Sequence, residues 1–189
     1  VALTDVSADW VAESGVFTPS TPTFNQLSLD AFTLRAAALV SEELLQDSMF
    51  DLEAYLIDNF ARAFAAKEEQ AFCIGTGSGQ PTGIFTANGG NVGVTTASAS
   101  DIKADELIDL TYSLKDGYKK NAAFILSSAT LAGIRKLKDG NGAYMWQPSL
   151  QAGQPDRLLG FPVYVSQYAP AIAASAYTVA FGDFQNYWI

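Results

Sequence analysis

The stretch Lys67-Glu68-Glu69-Gln70-Ala71-Phe72-Cys73-Ile74-Gly75-Thr76-Gly77, followed by Gln80-Pro81-Thr82-Gly83-Ile84, decides how the chain is read. Upstream of it, Leu52, Leu56, Phe60, Ala63, Phe64 and Ala71 recur at helical spacing. Asp51, Asp58, Arg62, Glu69 and Gln70 fall on the side that can face water. The pattern from Asp51 to Cys73 covers about 23 residues, roughly 34 Å at 1.5 Å per residue. An average globular helix has three to four turns, so this one is long. Gly75 ends it as a C-terminal glycine. The glycine-rich segment after it reads as a helix stop and a rigid turn. A P-loop needs Gly-Lys followed by Ser or Thr, and no Lys stands here. A dinucleotide fingerprint follows a strand, whereas this loop follows a helix and lacks the third glycine.

Working toward the N-terminus, Ser41-Glu42-Glu43-Leu44-Leu45-Gln46-Asp47 predicts a short helix with Ser41 as N-cap and two acids in its first turn. Before it, the first 34 residues hold no Lys or Arg and four acids, Asp5, Asp9, Glu13 and Asp30. Two β-prone runs, Asp9–Glu13 and Thr23–Leu29, flank Ser14-Gly15 and the Pro19, Pro22 pair. Phe32 and Leu34 extend the second run, and together they predict a long two-stranded hairpin with a Pro-rich tip. A lone hairpin is marginally stable in water and leaves two open edges. Two readings stand: it lies on its own domain, or it reaches onto a neighbouring copy.

Toward the C-terminus a polar loop runs to about Ser100, and the pattern then becomes compact α+β. A helix is predicted over 104–115, a buried strand over 122–127, and a helix over 129–138 capped by Ser128, with Arg135, Lys136 and Lys138 in its last turn. Asp139-Gly140-Asn141-Gly142 is a turn, and 161–166 and 177–181 read as strands. The chain starts at Val1 and stops in an aromatic run ending at Ile189, which reads as a piece of something longer.

Composition narrows the chemistry. The 189 residues are 49% hydrophobic but only 16% charged, below the quarter or so usual for soluble domains. There is no His, which removes His triads, His bases and His-ligated metals. One cysteine, Cys73, permits neither an internal disulfide nor a thiolate zinc cluster, and its apolar surroundings predict a buried thiol. With 11 Lys and Arg against 20 Asp and Glu, the net charge of −9 disfavours nucleic-acid reading by charge. No apolar run reaches the ~20 residues of a membrane span, and no signal peptide is visible.

The remaining candidates carry little chemistry. Glu68 and Glu69 are adjacent, so they project about 100° apart on a helix and cannot serve one substrate as a pair; one solvated and one partnered carboxylate are expected. Ser41, Ser78 and Ser128 have no His to activate them, although a Ser–Lys arrangement stays open. Lys115, Lys119 and Lys120 suit a helix C-terminus. Packing is the expected role of Trp10, Trp146 and Trp188. No catalytic residue, cofactor or metal site is assigned. A structural or interaction protein is the first reading. A hydrolase built on Ser78, Lys67 and Glu69 near the glycine-rich loop is the alternative, and an adhesion or carbohydrate-binding domain a third that the long helix argues against.

The order of these features resembles the tailed-phage major capsid proteins of the HK97 fold. The resemblance rests on Ser41–Ser48, Asp51–Leu56, the block from Lys67 to Ile84, Trp10–Glu13 with Thr23-Phe24, Leu137–Tyr144 and Leu159–Val163, from about Trp10 to Ile189. It implies an α+β fold with residues 1–36 as the extended β-hairpin loop, 37–83 as the peripheral domain with its spine helix, and 84–189 as an axial domain truncated at its C-terminus. It implies a non-enzymatic subunit of an icosahedral head enclosing double-stranded DNA in a tailed phage or prophage, assembled in the bacterial cytoplasm. Its partners would be copies of itself in pentamers and hexamers, with scaffold, protease and portal proteins, DNA held without specific binding, and no membrane. Trp10, Phe17, Phe24, Leu27, Glu68 and Glu69 are the expected inter-subunit contacts. Some members weld subunits by an isopeptide bond from a loop Lys; residues 1–34 have none, so no such bond is expected from this loop.

Overall fold

A computed structural model describes residues 2–3, 10, 24–25, 30–41, 51–146 and 156–187. The chain divides into two compact units, Val1–Ala31 and Phe32–Ile189. In the first unit, β1 (Ala2–Leu3) pairs antiparallel with β2 (Phe24–Asn25). β2 falls inside the expected run, and its partner in this ladder is Ala2–Leu3. Trp10 is not in a strand, and the rest of Asp9–Glu13 lies outside the described residues.

In the second unit, residues 32–41 are irregular and exposed, so Phe32 and Leu34 do not extend a strand. The short helix expected after Ser41 lies outside the described residues. α1 spans Leu52–Ile74 and opens with Asp51 as N-cap, whose Oδ1 accepts from Ala54 N at 3.0 Å. This satisfies one of the backbone donors that every helix start leaves without a partner. Leu52 is buried and Leu56, Phe60 and Phe64 are half-buried, an i, i+4 stripe. Ala63 is exposed and Gln70 half-buried, the reverse of the sequence expectation for both.

The α/β part follows. α2 (Ala104–Ser113) and the short α3 (Asp116–Lys119) lead into β3 (Ala123–Leu126), then α4 (Ser128–Arg135), β4 (Arg157–Leu158), β5 (Phe161–Val165) and β6 (Val179–Gly182), with a 3-10 turn at Phe184–Asn186. The sheet order is β4-β5-β3-β6. β3 and β5 are parallel, with Phe124 opposite Val163; the other pairs are antiparallel. The cap of α4 is Ser127, not Ser128: its Oγ accepts from Thr130 N at 3.2 Å. α4 ends at Arg135, so Lys138 already belongs to the next hairpin, bridged to Tyr144. In that hairpin Asp139 Oδ1 accepts from Asn141 N and Ala143 N, and Gly142 takes φ +82°, which L-residues rarely adopt.

Strand alternation sorts the core into two layers. Phe124, Leu126, Val179 and Phe181 face Leu107, Ile134 and Leu158. Phe124, fully buried, stacks with Phe181 at 4.5 Å between centroids, and Phe161 meets Phe181 edge-on at 5.0 Å. On the opposite face Ile125 and Ala180 pack with Cys73, Phe85, Tyr168 and Ala169. The last turn of α1 therefore sits on the second face of the sheet.

Candidate functional site

The block that decides the sequence reading is the junction between α1 and the sheet. A helix end leaves its last carbonyls without partners. Here residues 83–85 fold back onto them: Ile84 N donates to Phe72 O, Phe85 N to Cys73 O and Gly83 N to Gly75 O, at 2.8–2.9 Å. Two glycines allow this approach. A Cβ on Gly83 would lie 2.5 Å from Gly75 N, and one on Gly75 would lie 2.1 Å from Pro81 O. Gly75 has φ −61°, so close approach, not left-handed backbone, requires it. Between them Gly77 and Gly79 take φ of +78° and +68° across the Thr76–Thr82 bridge. The amide groups of residues 83–85 are thus spent on Phe72 O, Cys73 O and Gly75 O.

A small polar cluster fastens the same junction. Ser166, buried at the end of β5, donates its hydroxyl proton to Glu69 Oε1 at 2.6 Å. The hydroxyl has one proton, so the Cys73 thiol, 3.3 Å away, is the donor to Ser166 Oγ. Tyr168 N donates to the same oxygen at 3.2 Å. Tyr187 adds a hydroxyl bond to Thr82 O. Burial pushes the Cys73 thiol above its ordinary pKa, and the Glu69 carboxylate adds to the rise; a Ser166 hydroxyl turned toward the sulfur would lower it. Burial also pushes the Tyr187 phenol upward, and charge on Cys73 would add to that. Cys73 is buried at 6% exposure, as its apolar surroundings predict.

The expected contact residues fall in different places. Trp10 is fully exposed in the first unit, so packing within its own unit does not account for it. Phe24 is placed in β2, opposite Leu3. Phe17 and Leu27 lie outside the described residues. Glu68 is exposed, while Glu69 is held by Ser166, the split expected for adjacent carboxylates. Trp146 donates Nε1 to Arg157 O at 2.9 Å and stacks under Arg135, a packing role; Trp188 lies outside the described residues. Sequence reasoning missed Ser166, because nothing near it in the chain marks it.

Among the described residues, Ser78, Lys67 and Glu69 each have other engagements or stand exposed. Lys67 donates to Gln70 at 3.1 Å, Glu69 is committed to Ser166, and Ser78 sits exposed in the glycine turn. A cleft of about 880 Å³ lies between residues 84–99, α2 and residues 172–187. Its carboxylates serve the backbone. Glu106 accepts from Lys103 N and Ala97 N, both at 2.8 Å, which holds it below the usual carboxylate range, and Asp183 accepts from Gln185 N. Among the described residues no cluster of three metal-ligating side chains forms, and no helix is long and apolar enough to cross a membrane.

What the arrangement offers is an anchored lever. α1 is fastened at its last turn, while Tyr55 and Ile57 stay 58% and 61% exposed. Comparison with known proteins agrees. The model of the phage capsid family matches residues 1–189. The chain is 29% identical to the major capsid protein of Escherichia phage T5 over an alignment of 188 positions, which covers 89% of this chain and 40% of that protein's length. The solved capsid of a native GTA particle, computed with C5 symmetry, superposes with a TM-score of 0.82 at 37% identity, covering 97% of this chain and 67% of that one. The capsid of an empty GTA particle gives 0.81 at 38%, covering 96% and 65%. The expected α+β capsid fold is therefore present, the hydrolase alternative has no support, and the chain belongs to the phage capsid family.

Proposed function

We propose that the chain is a structural, non-enzymatic subunit that self-assembles into the icosahedral head of a tailed phage or prophage. The observation that carries this reading is α1. A helix of 23 residues in which only Leu52 and Cys73 are buried, with Leu56, Phe60 and Phe64 half-buried, leaves most of its surface uncovered by its own domain, and isolated helices are marginal in water. Covering by neighbouring copies supplies the missing burial. In this reading residues 1–36 are the extended loop, 37–83 the peripheral domain and 84–189 the axial domain. Trp10, Phe17, Phe24, Leu27, Glu68 and Glu69 contact neighbouring subunits. One heterologous contact repeated about an axis closes pentamers and hexamers, and multivalency over a shell makes modest contacts sufficient.

The finished particle holds double-stranded DNA without specific binding, and the net charge of −9 fits a wall that repels the packaged molecule. Scaffold, protease and portal proteins are the further partners, with assembly in the host cytoplasm and residence in the virion. The test is electron microscopy of the purified full-length protein at low salt. Shells or capsomers are expected, and a protein that stays strictly monomeric in every condition overturns the reading.

A further inference from the structure

The charges of the α/β part are sorted by end. Lys119 Nζ stands over the Tyr112 ring of α2 at 4.8 Å, and Ala122 N, just before β3, donates to Lys119 O. Lys115, Lys119 and Lys120 therefore gather where β3 begins. α4 returns to the same end. Arg135 pairs with Asp156, Asp156 O accepts from Val163 N, and Val163 lies opposite Phe124. Lys136 and Lys138 follow Arg135 in the chain, and Trp146, under Arg135, donates to Arg157 O at the start of β4.

The acids at this end are already engaged. Asp116 pairs with Lys119, Asp156 with Arg135, and Asp139 and Asp183 accept from backbone N–H groups. Lys115, Lys120, Lys136 and Arg157 remain exposed, with no carboxylate partner among the described residues.

The other end of α2 has the opposite sign. Asp105 and Asp109 are exposed, one turn apart, without a cationic partner among the described residues, next to Glu106 and Asp101; Lys103 is the cation nearest them in sequence. The helix dipole explains acids in a first turn and cations in a last turn, but not Asp109, Lys120 or Arg157. Eight residues separate Asp105 from the last residue of α2, Ser113, and four separate Asp109 from it, about 12 and 6 Å at the helical rise. The first distance exceeds the Debye length of ~8 Å at physiological salt, so Asp105 is largely screened from the basic end, and Asp109 lies between the two.

We propose that copies of this chain meet head to tail through these ends, the basic end of one α/β part against the Asp105/Asp109 face of the next. The inference rests on the self-assembly proposed above and adds the contact and its polarity. A head-to-tail contact is heterologous, the kind that closes rings. Opposed charges steer encounter and fix register.

The test compares self-association by sedimentation velocity in the wild type, in Lys115→Glu/Lys120→Glu, which makes both ends acidic, in Asp105→Lys/Asp109→Lys, which makes both basic, and in an equimolar mixture of the two variants. Each variant alone is expected to associate at least about tenfold more weakly than wild type, and the mixture to recover association, since an acidic end then meets a basic one. A misfolded variant would not be rescued by mixing. Raising salt should weaken the wild type. If the wild type assembles and either variant matches it, the head-to-tail contact is wrong and the capsid reading stands. If the wild type never associates, both fall. If duplex DNA is retarded by the wild type but not by Lys115→Glu/Lys120→Glu, while association is unchanged, the basic end belongs to DNA and the contact is overturned.

Discussion

The hydroxyl of Ser166 has one proton, and Glu69 takes it. Burial and the neighbouring Glu69 carboxylate then favour the Cys73 thiol over the thiolate. The sign of the pH effect follows. A pKa held above the ordinary 9.0 in the folded chain means that folding favours the protonated thiol. Its contribution to stability is complete below the unfolded pKa and is lost as the pH rises through the folded one. Thermal unfolding of wild type and Cys73→Ala, compared at pH values on either side of 9.0, reads this group together with its effect on Tyr187. The gap between the two proteins is expected to narrow on the alkaline side. An unchanged gap means that the thiol is not shielded by the junction.

At the scale of elements, the junction between α1 and residues 83–85 makes a sharper demand. A methyl group on Gly83 meets Cys73 C and O at 2.6 Å, backbone atoms that cannot swing aside. Gly83→Ala must push the loop off the helix end and lose the bonds to Phe72 O and Cys73 O. A cost of about 2–4 kcal/mol follows from overpacking plus lost backbone bonds. Gly90, with open space at its Cβ position, should tolerate Ala within about 0.5 kcal/mol. Urea unfolding of both variants checks the contrast. This junction also shows what a sequence can disclose. The ends of α1 are legible because Asp51 and Gly75 act locally, and the glycine block is legible as a stop. Its partner Ser166 is not, because it lies 97 residues from Glu69 and 93 from Cys73. Local signals also fail where two neighbours share the same chemistry. Ser127 and Ser128 are equally good caps on paper, and in the fold it is the hydroxyl of the first that meets Thr130 N and Thr130 Oγ1. The exposed Ala63 and half-buried Gln70 fail for the same reason, since helical spacing gives the stripe but the fold sets its width.

For the whole molecule, the open question from the sequence is whether the leading ribbon serves its own body or a neighbour. The first unit is Val1–Ala31, shorter than the ~40 residues below which a chain seldom holds a core unaided. Both hydrophobic clusters of the described residues lie in the second unit. If the ribbon serves neighbours, removing residues 1–31 leaves the fold of 32–189 intact and abolishes assembly. The melting midpoint of the shortened chain should then stay within about 3 °C of wild type, which for a body of this size corresponds to about 1 kcal/mol. Shells and capsomers should vanish from micrographs. A much larger drop in the midpoint points the other way: the ribbon would be burying its apolar residues at home, and the exposed Trp10 would need a partner on its own body rather than on the next copy.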